Sequence, residues 1–260
     1  MIKLLKIEWY KIASYKTFWV IFVLHFVLLG IVSTTMEKIM GSIASSKGDG
    51  PNPAALIVDS IPIFNFPSIY HNLAYIFSWF AFFLAILVII LVCNEFKYRT
   101  LRQNIIDGLS KWEVIFAKEF IIVTMSVISC MALLVTSLLL GSGDNMLWGI
   151  EGIAAYFLGL LLYLNFAFFI AIALKNSGLS IGVLIIYSIV ENVISTRIPE
   201  YISQYFPINL MSEILPNPMS RLMGSEAILD LSIVNVALVF VYVIIFLFSS
   251  HFLLQRGHAG

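Results

Sequence analysis

The chain has 260 residues, of which 60% are hydrophobic and 12% are charged, and its mean hydropathy is +0.98. Soluble domains average about 45–50% apolar and about 25% charged residues, so the composition excludes a soluble enzyme, a disordered tail and a secreted toxin. Fifteen basic and 15 acidic residues give no net charge, which argues against a nucleic-acid partner. The two cysteines, Cys93 and Cys130, lie in apolar runs and offer neither a disulfide framework nor a zinc cluster. The sequence therefore predicts an integral membrane protein.

Six apolar stretches are long enough, or nearly long enough, to cross a bilayer. A hydrocarbon core of about 30 Å needs about 20 helical residues, and the candidate spans are residues 18–35, 73–93, 120–140, 153–174, 179–194 and 233–254. The fifth span is short and carries Glu191 and Asn192 near its far end. No segment shows the alternation typical of a membrane β-barrel. The predicted fold is an all-α membrane protein with six transmembrane helices, in a single domain over residues 1–260.

The basic residues are sorted between the two sides of the predicted membrane. Eleven of the 15 lysines and arginines fall in the N-terminal segment, the loop after the second span, the link after the fourth span and the C-terminus. The other four are Lys38, Lys47, Arg197 and Arg221, on the opposite side. By the positive-inside rule, this pattern predicts that both termini lie in the cytoplasm.

The N-terminal segment, residues 1–16, is amphipathic. Ile2, Leu5, Trp9 and Ile12 recur at spacings of three and four, which favours a helix with one apolar stripe. The lysines lie off this stripe, as expected for a helix that lies in the interface beside anionic headgroups. Two interpretations remain open: an anchor for the first span, or a lever that joins membrane motion to a cytoplasmic partner.

The one long loop on the predicted cytoplasmic side covers residues 94–119. Glu95 and Arg99 have the i,i+4 spacing of a helical ion pair, so the loop is expected to begin as a continuation of the second span. Gly108 then favours a helix stop. Ser110 and Glu113 have the S-x-x-E spacing of a capping box, which begins the next helix. The pattern predicts an elbow made of a helix, a glycine break and a capped helix.

Apolar residues on this elbow would be poorly hidden if the loop floated in water. They are Ile105, Ile106, Leu109, Trp112 and Ile115. An exposed apolar knob beside basic residues is typical of a protein docking surface. The alternative interpretation is that the knob packs against the ends of its own helices.

Two other connections have contrasting patterns. Residues 195–232 carry four prolines among apolar residues, which predicts short helices that cap the bundle or dip into the outer leaflet. The link between the fourth and fifth spans is only residues 175–178, so these two spans are expected to be antiparallel neighbours.

The elbow resembles the cytoplasmic loop of type-2 ABC exporter permeases, the six-span membrane subunits of ATP-driven exporters. That loop has a Glu at the end of span two, a Thr five residues later, a small-residue break and a Lys entering span three. Here those positions are Glu95, Thr100, residues 108–110 and Lys118. Arg99 stands where the family usually has Gly, and the frequent Pro near the break is absent. The N-terminal helix, the short fifth span and the external helices also fit the family plan.

The resemblance implies that the elbow rests in a groove of a separate ABC ATPase subunit. Since the sequence has no Walker A motif, ATP and Mg would be bound by that partner, and this chain would carry no cofactor and no catalytic residue. Two permease subunits, identical or different, would form the path in a bacterial cytoplasmic (inner) membrane. The residues implied in coupling are Glu95, Arg99, Thr100, Ile105, Ile106, Gly108, Leu109, Ser110, Trp112, Glu113 and Lys118.

In the resembling family, the second and fifth spans line the transport path. The path candidates in this chain are Phe77, Phe80, Phe83, Glu191 and Asn192. An aromatic face suits an amphipathic cargo and suits lipid contact equally well, so the transported substrate stays open.

Two other classes of function remain as alternatives. Residues 178–182, GLSIG, match the G-x-S-x-G pattern without the strand that a nucleophile elbow needs, so an intramembrane serine protease would depend on Ser180 and His251. An ion-coupled secondary carrier would place charges near the midplane and show an internal repeat, which is not evident here. His25 is expected to be a neutral histidine bonded to a neighbouring helix, and Asn165 to bond across helices.

Overall fold

The computed structural model describes residues 2–45, 64–144, 146–215, 217–218 and 231–256. Within these residues the chain folds into helices. In chain order they are α1 (Ile2–Ser14), α2 (Lys16–Ser45), α3 (Ser68–Lys97), α4 (Thr100–Ile106), α5 (Lys111–Leu140), α6 (Glu151–Leu174), α7 (Ser177–Ser195), α8 (Glu200–Ser203), α9 (Pro207–Ile214) and α10 (Ile233–Arg256).

Six of these helices, α2, α3, α5, α6, α7 and α10, are long and apolar enough to cross a membrane. Each contains one of the six predicted spans, so the prediction of an all-α membrane protein with six spans is confirmed. The helices run beyond the apolar stretches at several ends. For example, α5 begins at Lys111, nine residues before the predicted span, because the Ser110 cap starts the helix outside the apolar run.

The centre of the bundle is formed by α3 and α6. In α6, 67% of the most apolar 18-residue stretch is buried inside the protein, whereas only 17% of the corresponding stretch is buried in α7 and in α10. Small residues let α3 and α6 approach closely: Ala74 and Ala155 are fully buried. A Cβ on Gly152 would lie only 2.9 Å from the backbone nitrogen of His71. Close backbone approach at small residues is the usual basis of helix packing in membranes.

One end of the bundle gathers α1, α4, the start of α5 and the last turns of α10. Glu8 of α1 lies beside Lys118 of α5, and Trp112 of α5 stacks on His251 of α10. We call this end the elbow end. The opposite end carries α8 and α9. Short helices predicted within residues 195–232 are present as α8 and α9, while residues 219–230 and most of the proline-rich segment 51–67 lie outside the described residues.

The link between α6 and α7 is a tight turn. Lys175 adopts a left-handed conformation with φ of 54° and ends α6. Asn176 is the N-cap of α7, and its side-chain oxygen accepts a hydrogen bond from the Leu179 N–H at 3.1 Å. These two residues turn the chain at once, so α6 and α7 are adjacent, as the length of the link predicts.

Candidate functional site: the elbow and its buried charge cluster

The elbow consists of α4 and the two breaks that separate it from its neighbours. The first break is at Arg99, which has φ of 58° and ends the run of α3. The second is at Gly108, which has φ of 99°. The predicted continuation of the second span is present as far as Lys97, two residues before Arg99, and the glycine break is where the sequence places it.

The start of α5 is fixed by a capping box at Ser110. Its hydroxyl accepts a hydrogen bond from the Glu113 N–H at 3.2 Å, and the Glu113 carboxylate accepts one from the Ser110 N–H at 2.8 Å. Two backbone donors that a helix start leaves free are thereby satisfied. The predicted box is present.

Beneath the elbow, four charged side chains from three helices form one cluster. They are Glu8 and Lys11 of α1, Glu95 of α3 and Lys118 of α5. The Lys11 ammonium donates to Glu8 at 2.8 Å and to Glu95 at 2.8 Å. The Lys118 ammonium donates to Glu95 at 2.7 Å and also to Glu8. The two positive and two negative charges balance, and the cluster joins α1, α3 and α5.

Three of the four side chains in this cluster are buried. The exposed fractions of Glu8, Glu95 and Lys118 are 4%, 5% and 6%, whereas the Lys11 side chain is 30% exposed. Removing one partner of such a pair leaves an uncompensated buried charge, which typically costs about 3–5 kcal/mol. The three helices are therefore held together at the elbow end by an arrangement that is costly to break in part.

The pKa values in α1 reflect the same contacts. Burial would raise the pKa of Glu8, but the positive charge of Lys118 and hydrogen bonds from both lysines outweigh it and hold that pKa below the ordinary 4.5. Burial would lower the pKa of Lys11, but Glu95 and Glu8 outweigh it and hold that pKa above the ordinary 10.5. Both groups are thus kept charged at neutral pH.

The cluster borders a cavity of about 230 Å³ that reaches the elbow. Thr100, Tyr98, Asn94 and Tyr15 also line it. Within the described chain, Glu95 Oε2 is buried without a hydrogen-bond partner. Charged and hydroxyl-bearing side chains line part of the cavity, and it is large enough for water, which is the usual partner of such an oxygen. Thr100, predicted as a coupling residue, therefore lies at the boundary between the elbow and the cluster.

The predicted ion pair between Glu95 and Arg99 gives way to other contacts. Glu95 Oε1 accepts from Lys11 and Lys118, while Arg99 is exposed and has left-handed backbone geometry. Because Arg99 leaves the helix, the i,i+4 geometry that would bring its side chain over Glu95 is lost. Glu95 and Lys118 are buried in contacts within this chain, and their role in coupling stays a prediction.

The predicted apolar knob is divided between an outer and an inner part. The Ile106 side chain is 68% exposed, and Ile105 and Leu109 are half-buried. Ile115 is fully buried, and Trp112 stacks on the His251 ring at 4.1 Å between ring centroids. The inner residues therefore pack on neighbouring helices, as one of the two interpretations predicts, and docking of the exposed Ile106 onto a partner stays a prediction.

The five path candidates lie in different surroundings. Phe77 is fully buried against Tyr156 in the core, and Phe80 stacks on Phe83. The Glu191 carboxylate accepts from the N–H groups of Ile208 and Asn209 at 2.8 and 2.7 Å, which are the first free donors of α9. Asn192 is exposed.

A cavity of about 200 Å³ lies between α3, α6, α7 and α9 and is lined by residues other than the path candidates, among them Tyr75, Trp79, Phe82, Tyr163 and Ser188.

The polar residues inside the spans bond to neighbouring helices. The Phe80 carbonyl lies 3.1 Å from His25 Nδ1, and Asn165 donates to Glu119 of α5 at 3.0 Å. Ser180 Oγ lies 3.9 Å from Cys93 Sγ, while His251 contacts Trp112 and Gln255. Ser180 and His251, the pair that a protease would use, thus have different neighbours.

Sequence reasoning missed Glu8 and misplaced Lys11, which it assigned to lipid headgroups. A signal was present, because Glu8 is the one acidic residue before Glu37 and precedes Lys11 by three positions. Anionic headgroups repel a carboxylate, so a glutamate in a basic interfacial helix favours contact with a cation of the protein instead.

Compared with models of known protein families and with curated protein sequences, the chain matches none of them.

Proposed function

We propose that the chain is the membrane-spanning permease subunit of an ATP-driven ABC exporter, coupled to a separate ATPase through the elbow. The observation that supports this most directly is the buried cluster of Glu8, Lys11, Glu95 and Lys118, which joins the elbow to three helices. A force applied to α4 reaches α3 and α5 through the chain and α1 through the cluster. An elbow connected in this way to three helices is suited to transmit a movement of a partner outside the membrane to the spanning helices.

The outer face of the elbow fits a protein partner. Ile106 presents exposed apolar surface, and Lys97, Arg99 and Arg102 are exposed around it. A groove with an apolar floor and an acidic rim would complement this face. The ATPase would bind ATP and Mg, because this sequence has no Walker A motif.

The proposal also implies an orientation of the chain in the membrane and its assembly with a second permease subunit. By the positive-inside rule, the elbow end faces the cytoplasm of a bacterial inner membrane, with both termini on that side. Two permease subunits enclose the path. Both α7 and α10 have most of their apolar surface outside the protein core, so they offer faces for lipid or for the second subunit.

The test is purification from the native host in a gentle detergent, comparing wild type with Ile106→Asp. Leu147→Asp is the matched control, because Leu147 is 81% exposed in the turn before α6, at the end away from the elbow. We expect a partner with a Walker A motif and Mg-dependent ATPase activity to co-purify with wild type and with Leu147→Asp but not with Ile106→Asp. A wild-type preparation without an ATPase, or equal recovery with all three, contradicts the proposal.

A further inference from the structure

An apolar groove lies between α1, α2 and α5 near the elbow end. It has a volume of about 150 Å³. Its main walls are formed by Trp9, Ile12, Trp19, Phe22, Phe120 and Ile128. Its one hydroxyl-bearing residue is Thr124, whose Oγ1 donates to the Phe120 carbonyl of its own helix at 2.7 Å. Glu8 also lines the groove, but its carboxylate is paired with Lys11 and Lys118, so the groove offers almost no free polar group to a ligand.

The groove runs along the spanning helices. Phe120 and Ile128 are eight residues apart on α5, which at 1.5 Å per residue is about 12 Å. One leaflet of a hydrocarbon core about 30 Å thick is about 15 Å deep. The groove thus has the direction and length of the acyl chain of a lipid in a single leaflet.

The surroundings of the groove agree with this depth. Trp9 and Trp19 border it with exposed fractions of 57% and 38%, and tryptophan concentrates at the level of lipid headgroups. Lys16, exposed at the start of α2, supplies positive charge at the same level. Phe120, which lines the groove, is 52% exposed, and Val127 on the adjacent face of α5 is 46% exposed, so the groove opens onto the outer surface of α5.

We propose that this groove binds one acyl chain of a phospholipid from the leaflet at the elbow end. Three helices wall the site, so the chain is held more firmly than lipid on the open surface of α5. Because Trp9 and Ile12 belong to α1, the bound chain packs α1 against α5 beside the buried charge cluster. This inference concerns a lipid and does not depend on the proposed exporter function.

The first test is native mass spectrometry of the delipidated protein with dioleoylphosphatidylglycerol added back. The variants are Thr124→Phe, which fills the groove, and Val127→Phe, which adds the same ring to the adjacent open face of the same helix. We expect one retained lipid in wild type and in Val127→Phe, and its loss in Thr124→Phe. Equal lipid retention by both variants, or none by wild type, overturns the proposal.

The second test needs no substitution. The wild-type protein is reconstituted with phosphatidylglycerol that carries a photoactivatable diazirine in its acyl chain, and after limited delipidation the crosslinked peptides are mapped. Crosslinks concentrated in residues 18–22 and 120–128 are expected. A uniform distribution over α5, α7 and α10 would show ordinary annular lipid and would overturn the assignment.

Discussion

Lys118 Nζ lies 2.7 Å from Glu95 Oε1 and also donates to Glu8, so one ammonium group joins the end of α3, the start of α5 and the helix α1. Lys118 is 6% exposed, which means that its charge is compensated by these carboxylates and not by water. The ion pairs of Lys118 therefore tie α1 to the ends of α3 and α5 that flank the elbow.

Replacing Lys118 by Met should destabilise the protein by about 3–5 kcal/mol, because Glu8 and Glu95 would share a buried site with Lys11 alone. Chemical unfolding in detergent micelles measures this loss. Lys38→Met is the control, since Lys38 is exposed on α2 and its loss should change the unfolding free energy by less than about 0.5 kcal/mol.

A second substitution separates charge balance from packing. Adding Glu95→Gln to Lys118→Met leaves one carboxylate and one ammonium in the cluster, so the double variant should be more stable than Lys118→Met alone. Additive losses from the two single variants would contradict the view that the four groups act as one network.

The cluster also predicts how stability depends on pH. The pKa of Glu8 is lowered in the folded protein, so its stabilisation is present above pH 4.5 and is lost as the pH falls through the lowered folded value. The pKa of Lys11 is raised, so its stabilisation is present below pH 10.5 and is lost as the pH rises through the raised folded value. The unfolding free energies of wild type and Glu8→Gln, measured across pH, should differ at neutral pH and converge in acid. A difference that stays constant into acid would contradict the role of Glu8.

A side chain at position 108 is expected to destabilise the protein because of the backbone conformation of Gly108 and not because of steric contacts. Its φ is +99°, and a Cβ would meet nothing within 4 Å. Gly108→Ala should therefore cost about 1–3 kcal/mol through strain alone. Gly30→Ala is the matched control, because Gly30 is helical with equally open space and the change should stabilise α2 by about 0.5–1 kcal/mol. Unfolding midpoints that shift in the same direction would show that the elbow does not hold Gly108 in this conformation.

The spans and the elbow are predictable from sequence because they rest on local patterns. Apolar stretches about 20 residues long identify α2, α3, α5, α6, α7 and α10, and the capping box of Ser110 and Glu113 depends on residues three positions apart. The charge cluster is different, because Lys118 meets Glu8 across 110 positions of the chain. No periodicity encodes that contact, which exists only once α1 has folded back against α5.

Arg99 shows the limit of a local pattern. Its i,i+4 spacing from Glu95 predicts a helical ion pair, yet a left-handed residue ends the helix at this point. Tertiary contacts of Glu95 with Lys11 and Lys118 replace the local pair. Phe77 is a second case, because its burial against Tyr156 is a contact between helices that its aromatic neighbours in sequence do not predict, and its place on a transport path stays a prediction.

At the opposite end of the bundle, Glu191 should control the order of α9. Its carboxylate accepts two backbone N–H groups, from Ile208 and Asn209, and it is 4% exposed. Glu191→Ala would leave both donors without this acceptor, at a cost of about 1–3 kcal/mol. Amide hydrogen exchange at these two positions should accelerate about 5- to 150-fold in consequence.

The neighbouring residue supplies the control for this prediction. Asn192 is exposed on the same helix, so Asn192→Ala should leave exchange in α9 unchanged, and Glu191→Gln should preserve part of the protection because an amide oxygen still accepts a hydrogen bond. If Glu191→Ala and Asn192→Ala had the same exchange rates in α9, this helix would be held by the burial of Leu210 and Ile214 and not by the Glu191 carboxylate.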